Sequence, residues 1–229
     1  MEVLQNNTNK LIPTAGDAFG VSWNIMWKAF AGLLAVTIIY GIISGPTAMF
    51  QWQTDDLSWF IFPFVLFAIG FGIFISGPIG YSTKWVFLKA VRGEPFELKD
   101  MFAVFQKNYW NAVAANVVVG LIIGFGIVML IVPGIIFSIR LAFVPYLVID
   151  REMELTEALN KSWQMTKGYG GQIFLMAIIS FFVIILGLLA LIFGVIISAV
   201  WISTAFATMY QAVVEKEGYF QDTVIEHQE

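Results

Sequence analysis

The sequence predicts an all-α, polytopic integral membrane bundle of six transmembrane helices. They form three hairpins, each preceded by an amphipathic helix on the cytoplasmic surface. The first observation is composition: 59% of the 229 residues are hydrophobic, 12% are charged, and the mean hydropathy is +0.82. Soluble domains carry roughly 45–50% apolar and about 25% charged residues. So few charges cannot cover a water-facing surface, which excludes a soluble enzyme, a nucleic-acid binder and a disordered chain. The second is spacing. Residues 29–54, 57–83 and 168–214 hold no Asp, Glu, Lys or Arg, and 108–149 holds only Arg140. The third is the placement of the basic residues, which fall between alternate spans.

A helical span needs about 20 apolar residues, so the first two gaps hold one span each and the two long ones hold two. Pro133-Gly134 and Gly194 are the natural punctuation of the long stretches. The spans expected are Ala29–Met49, Ser58–Gly80, Ala112–Val132, Gly134–Ile149, Ile173–Phe193 and Val195–Val214. Transmembrane strands would alternate over about 10 residues, and nothing here alternates. Pro78 and Pro145 should each break their helix, since proline lacks an N–H and crowds the carbonyl four residues back. Lys10 and Lys28, then Lys84, Lys89, Arg92, Lys99 and Lys107, then Arg151, Lys161 and Lys167, and finally Lys216 all fall on one side of this arrangement. By the positive-inside rule that side is cytoplasmic, together with both termini. The N-terminus lacks the order of a signal peptide.

The chain reads as one membrane domain, 1–229, with a polar cytoplasmic tail at 215–229. Weak internal similarity suggests repeat units at 15–92, 98–150 and 155–214. Asp17, Phe19, Val21 and Trp27 match Asp100, Phe102, Val104 and Trp110 at one offset, and Ala18, Ser22 and Trp23 recur as Ala158, Ser162 and Trp163. Each segment stands before a hairpin, which makes it an interfacial amphipathic helix. The alternative is coincidence, because every membrane-entry helix favours Trp, Phe and small residues.

The most specific pattern lies between 132 and 214: Pro133-Gly134-Ile135, Arg140, Pro145-Tyr146 followed by Asp150, Glu157-Ala158, Ser162-Trp163, Thr166-Lys167-Gly168, Leu186-Gly187-Leu188-Leu189 and Tyr210. It resembles bacterial membrane-protein families of uncharacterised function, including YciC-like proteins and the membrane domain of some glycerophosphodiester phosphodiesterases. The resemblance is weaker over the first half. It implies a helical bundle in the bacterial cytoplasmic (inner) membrane and little about activity, because phosphodiester chemistry in such proteins belongs to a separate soluble domain.

No catalytic constellation stands out. Zero Cys excludes disulfides, thiol catalysis and thiolate metal sites, and the net charge of −4 points to no polyanion. The single His227 sits in the tail, and Asp55-Asp56 reads as a polar turn between Trp52 and Trp59. No cofactor or metal is expected. Gly120, Gly124 and Gly126, with Gly187 and Gly194, read as close-packing positions.

Arg140 is the exception. It lies inside the fourth span, where insertion costs about 2.5–3.5 kcal/mol at the midplane, and no expected span holds an acid to neutralise it. It snorkels toward the outer interface, about 9–10 Å away at 1.5 Å per residue, bonds backbone carbonyls, or meets a lipid phosphate. The candidate anion or lipid-headgroup site comprises Arg140, Pro145, Tyr146, Ser162, Trp163 and Lys167, although Trp163 and Lys167 are also explained by interfacial anchoring. The function expected is a non-enzymatic scaffold or accessory subunit; the alternatives are a lipid-handling or small-solute transport protein and, last, an intramembrane enzyme. The expected partners are membrane lipids, anionic ones among them, with a second membrane protein or a second copy of the chain, and no nucleic acid.

Overall fold

The computed structural model describes residues 11–49 and 62–226; the acidic turn at 55–56 and His227 lie outside them. Every regular element there is helical. Among the described residues five helices are long and apolar enough to cross a membrane, or six if the bent pair at the N-terminus forms one span. Helices are what a lipid-facing backbone requires, because each N–H and C=O must be satisfied within its own segment.

Helix α1, Ala15–Lys28, starts at Thr14, whose hydroxyl oxygen accepts the Asp17 N–H and donates to the Asp17 carboxylate. It lies across the bundle: the Trp201 indole donates to Phe19 O at 3.0 Å, and Ala15 N–H to the Gln172 side chain. At Ala29 the chain turns by 97° into α2, Phe30–Met49. Helix α3, Phe62–Phe71, passes through a π-helical turn, Gly72–Ser76, into α4, Gly77–Arg92. The turn widens the helix just ahead of Pro78, so the proline is absorbed without ending the span. The helix therefore runs on to Arg92 instead of stopping near Gly80, and Lys84 lies within it. Gly93, with φ 70°, closes α4 in the left-handed conformation that glycine adopts without strain.

The segment Leu98–Phe105 is a 3-10 helix tied to α4: Val104 N–H donates to Ser82 Oγ at 2.8 Å, and Lys89 pairs with Asp100 at 2.9 Å. Helix α5, Tyr109–Met129, and α6, Ile131–Arg140, form a hairpin whose single joint is the extended Leu130. A turn at 141–143 leads to α7, Val144–Asp150. Then come the amphipathic α8, Leu155–Met165, the span α9, Gly170–Leu189, and the long α10, Leu191–Glu226.

The hairpin joints fall at Leu130 and Ala190, a few residues before the expected Pro133-Gly134 and Gly194. Pro133 sits in the first turn of α6, where its missing N–H costs nothing. The glycines instead let the helix pairs meet just beyond the joints. A Cβ on Gly134 would come within 2.8 Å of Ile127 N, and one on Gly194 within 2.6 Å of the Ala190 Cβ and against Gly187 O. The three interfacial segments are all helical, but they differ in type and length, and they do not by themselves establish a threefold repeat.

The core gathers at the end of the bundle where α1, α8 and the 3-10 segment dock. Phe87, Leu88, Met101, Phe143, Leu147, Ile149, Met209 and Tyr210 are fully buried there. At the opposite end Ile127 to Val132 are exposed. Serine and threonine hydroxyls inside the spans donate to carbonyls one turn back, as Thr83 does to Ile79 O and Thr204 to Val200 O.

The joints make a prediction. Gly134→Ala and Gly194→Ala should each lower stability by about 1–3 kcal/mol, as overpacking does. Gly120→Ala, whose Cβ meets nothing within 4 Å, should be neutral or slightly stabilising. Unfolding in mixed micelles measures all three; equal losses would contradict the close approach.

Candidate headgroup site and polar clamp

Pro145 breaks the fourth span where the sequence expects. Val144 N–H donates to Leu141 O, so the carbonyl of Arg140, which it would reach in a continuous helix, is left free. Ser162 on α8 takes it: its hydroxyl donates to Arg140 O at 2.8 Å. Thr166 Oγ1 lies 3.4 Å from the same oxygen and donates at closer range to Ser162 O, 2.9 Å away. Both hydroxyl residues are buried. One broken turn thereby fixes an interfacial helix against a membrane span.

The latch sets the direction of the Arg140 side chain. Its guanidinium lies 5.6 Å from the Trp163 ring, which also meets Phe137 at 6.2 Å. It turns toward α8 and the face of Trp163. Its Nη1 is buried and has no hydrogen-bond partner, and no described carboxylate pairs with it. A guanidinium nitrogen without an acceptor is the costly state for a buried donor.

Arg140, Ser162 and Trp163 are thus brought together. The other candidates play different parts. Pro145 is buried in the first turn of α7 and acts through the backbone. Tyr146 faces the other side of the break, where its ring stacks on Tyr210 at 4.9 Å and 14°. Lys167 is exposed in the turn after α8, ahead of Gly168, whose φ of 98° ends that turn.

A second cluster links α4, α7 and α10. Arg92 forms a two-pronged pair with Asp150, Nη1 to Oδ1 at 2.6 Å and Nη2 to Oδ2 at 2.8 Å, while its Nε donates to Gln211 at 2.8 Å. Tyr210 donates its hydroxyl to Asp150 Oδ2 at 3.2 Å. The Arg92 and Asp150 side chains are 23% and 6% exposed, so solvent screens this pair little. Asn108 closes the edge by donating to Val148 O and Met153 O. At the rim, burial alone would raise the Asp100 carboxyl, but the Glu97 N–H and the Lys89 ammonium outweigh it and hold it below its ordinary value.

Sequence reasoning missed this clamp and Lys84. Lys84 had a signal: Val86, Phe87, Leu88, Ala90 and Val91 continue the apolar helix beyond it. For Arg92 and Asp150, nothing local marks the pairing. The clamp predicts that Asp150→Asn, which strands the Arg92 charge, should cost about 3–5 kcal/mol, whereas Arg92→Leu with Asp150→Leu should recover most of it. Denaturation of the two variants against wild type decides; a loss in the double variant as large as in the single one would contradict the clamp.

Residues 113–217, from α5 into α10, match the family model described as the membrane domain of glycerophosphoryl diester phosphodiesterase. No curated protein and no solved structure matches the chain. The matched stretch contains the Arg140 latch, Asp150 and Tyr210, and leaves out α1 to α4 with Lys84 and Arg92. This is a membrane protein, and over that stretch, less than half its length, it is similar to the membrane domain of glycerophosphoryl diester phosphodiesterase.

Proposed function

We propose that the chain is a non-enzymatic, lipid-handling protein of the bacterial cytoplasmic membrane, with both termini cytoplasmic, that holds an anionic lipid phosphate at Arg140. The observation that carries this is the buried, unpartnered Nη1. The Ser162 hydroxyl is spent on the backbone, so the guanidinium supplies the donors. It lies beside an interfacial helix, on the side where the basic loops gather and where headgroups would be. A phosphate accepts two hydrogen bonds from one planar guanidinium, and Trp163 shields one face of the contact. The non-catalytic part rests on the sequence, which carries no nucleophile or metal-ligand spacing.

A second reading, an accessory subunit or scaffold, draws on α5. Gly120 and Gly124 face open space, and Leu121, Phe125 and Val128 beside them are exposed, so another membrane helix has room to pack there.

The test of the first reading is the anionic lipid retained by protein purified in nanodiscs. Wild type should keep the most, Arg140→Lys should hold less because the planar fork is lost, and Arg140→Leu should hold the least while staying folded. Equal retention in all three would overturn the headgroup reading.

A further inference from the structure

Lys84 is another cation carried by a long apolar helix. It lies eight residues, about 12 Å along the helix, inward of Arg92. Among the described residues no acid lies within ion-pair distance of it. Asp150, the acid at the end of α7, is already engaged by Arg92 and Tyr210. What Lys84 meets is the face of Tyr146, 6.0 Å away. The ammonium also lines a cavity of about 300 Å³, together with Ala142, Tyr146, Ile202, Ser203 and Phe206.

The composition of that cavity is that of an amphiphile site. One cation and the Ser203 hydroxyl supply polar contacts, while Ala142, Ile202 and Phe206 supply apolar wall. The volume falls at the lower end of the range for small-ligand pockets, about 300–1,000 Å³. An ionisable side chain kept at membrane depth marks a ligand or ion path by default, and a lone lysine matches one negative charge. We infer that the cavity between α4, α7 and α10 binds the single anionic group of an amphiphile, a fatty carboxylate or a lipid phosphodiester, against Lys84, with its apolar portion along Ala142, Ile202 and Phe206. The lining of this site includes none of Arg140, Ser162 and Trp163.

The experiment uses the full chain, delipidated in neutral detergent, in an Arg140→Leu background, so that the first site is silent. Thermal unfolding is followed on titration with oleate, phosphatidylglycerol, phosphatidylcholine and inorganic phosphate. Oleate or phosphatidylglycerol should raise Tm, and which of them acts at lower concentration identifies the anionic group. Adding Lys84→Met should weaken the apparent affinity about tenfold, the scale of one lost charge contact near a membrane. Ala142→Leu keeps the charge and fills the cavity, and it should weaken binding comparably; it decides the matter if Lys84→Met does not fold. Unchanged affinity in a folded Lys84→Met or Ala142→Leu variant would overturn the inference. So would the same rise in Tm with phosphatidylcholine or with inorganic phosphate alone.

Discussion

When a helix stops inside an apolar layer, its freed carbonyls need donors that are not water. Here the freed carbonyl is that of Arg140, and its donor is Ser162, 2.8 Å away on a different helix. Much of the arrangement at that end of the molecule follows from that contact. Because the hydroxyl belongs to α8, the amphipathic helix is drawn against the span. Because α8 carries Trp163 one residue on, the Arg140 guanidinium finds an aromatic face. Because the chain restarts at Val144, α7 takes its own path and delivers Tyr146 and Asp150 into the core. A continuous fourth helix would keep its own backbone bonds and offer α8 nothing to hold.

The Arg92–Asp150 clamp works on the other side of the break. A buried ion pair gives up hydration on both partners, and apolar replacements are often as stable. Its value here is in placement. Arg92 ends α4, Asp150 ends α7, and Gln211 and Tyr210 belong to α10, so four side chains tie the ends of two helices to a third. The apolar contacts above them are less directional. With Asp150 engaged in this way, no described acid lies within ion-pair distance of Lys84, which lines the cavity beside α7.

How much of this was legible in the sequence depends on whether the cause was local. Pro145 announced the break, and uncharged stretches of membrane length announced the spans. Ser162-Trp163 stood out as a pair, although only the structure shows that the serine serves a backbone carbonyl while the tryptophan serves the guanidinium. Charge was a poor boundary marker at Lys84, because α4 continues past it with buried Val86, Phe87 and Leu88. The π-helical turn ahead of Pro78 left no pattern, since it adjusts the backbone without changing which residues are apolar. Punctuation by Pro133-Gly134 and Gly194 misplaced the joints by a few residues, because those glycines serve the contact beyond the turn. The pairing of Arg92 with Asp150 depends on the packing of three helices, and no residue near either one records it.

On the proposed function, the Arg140 guanidinium, turned by the latch toward Trp163, meets a lipid phosphate. Solid-state NMR measures this directly, as dipolar dephasing of arginine guanidinium nitrogens by lipid phosphorus in phosphatidylglycerol bilayers. The chain has three arginines, and Arg92 is held by Asp150, so the comparison is between wild type and Arg140→Lys. A phosphorus-dephased guanidinium signal should be present in wild type and disappear in Arg140→Lys. An identical dephased signal in both proteins, or none in either, would contradict it.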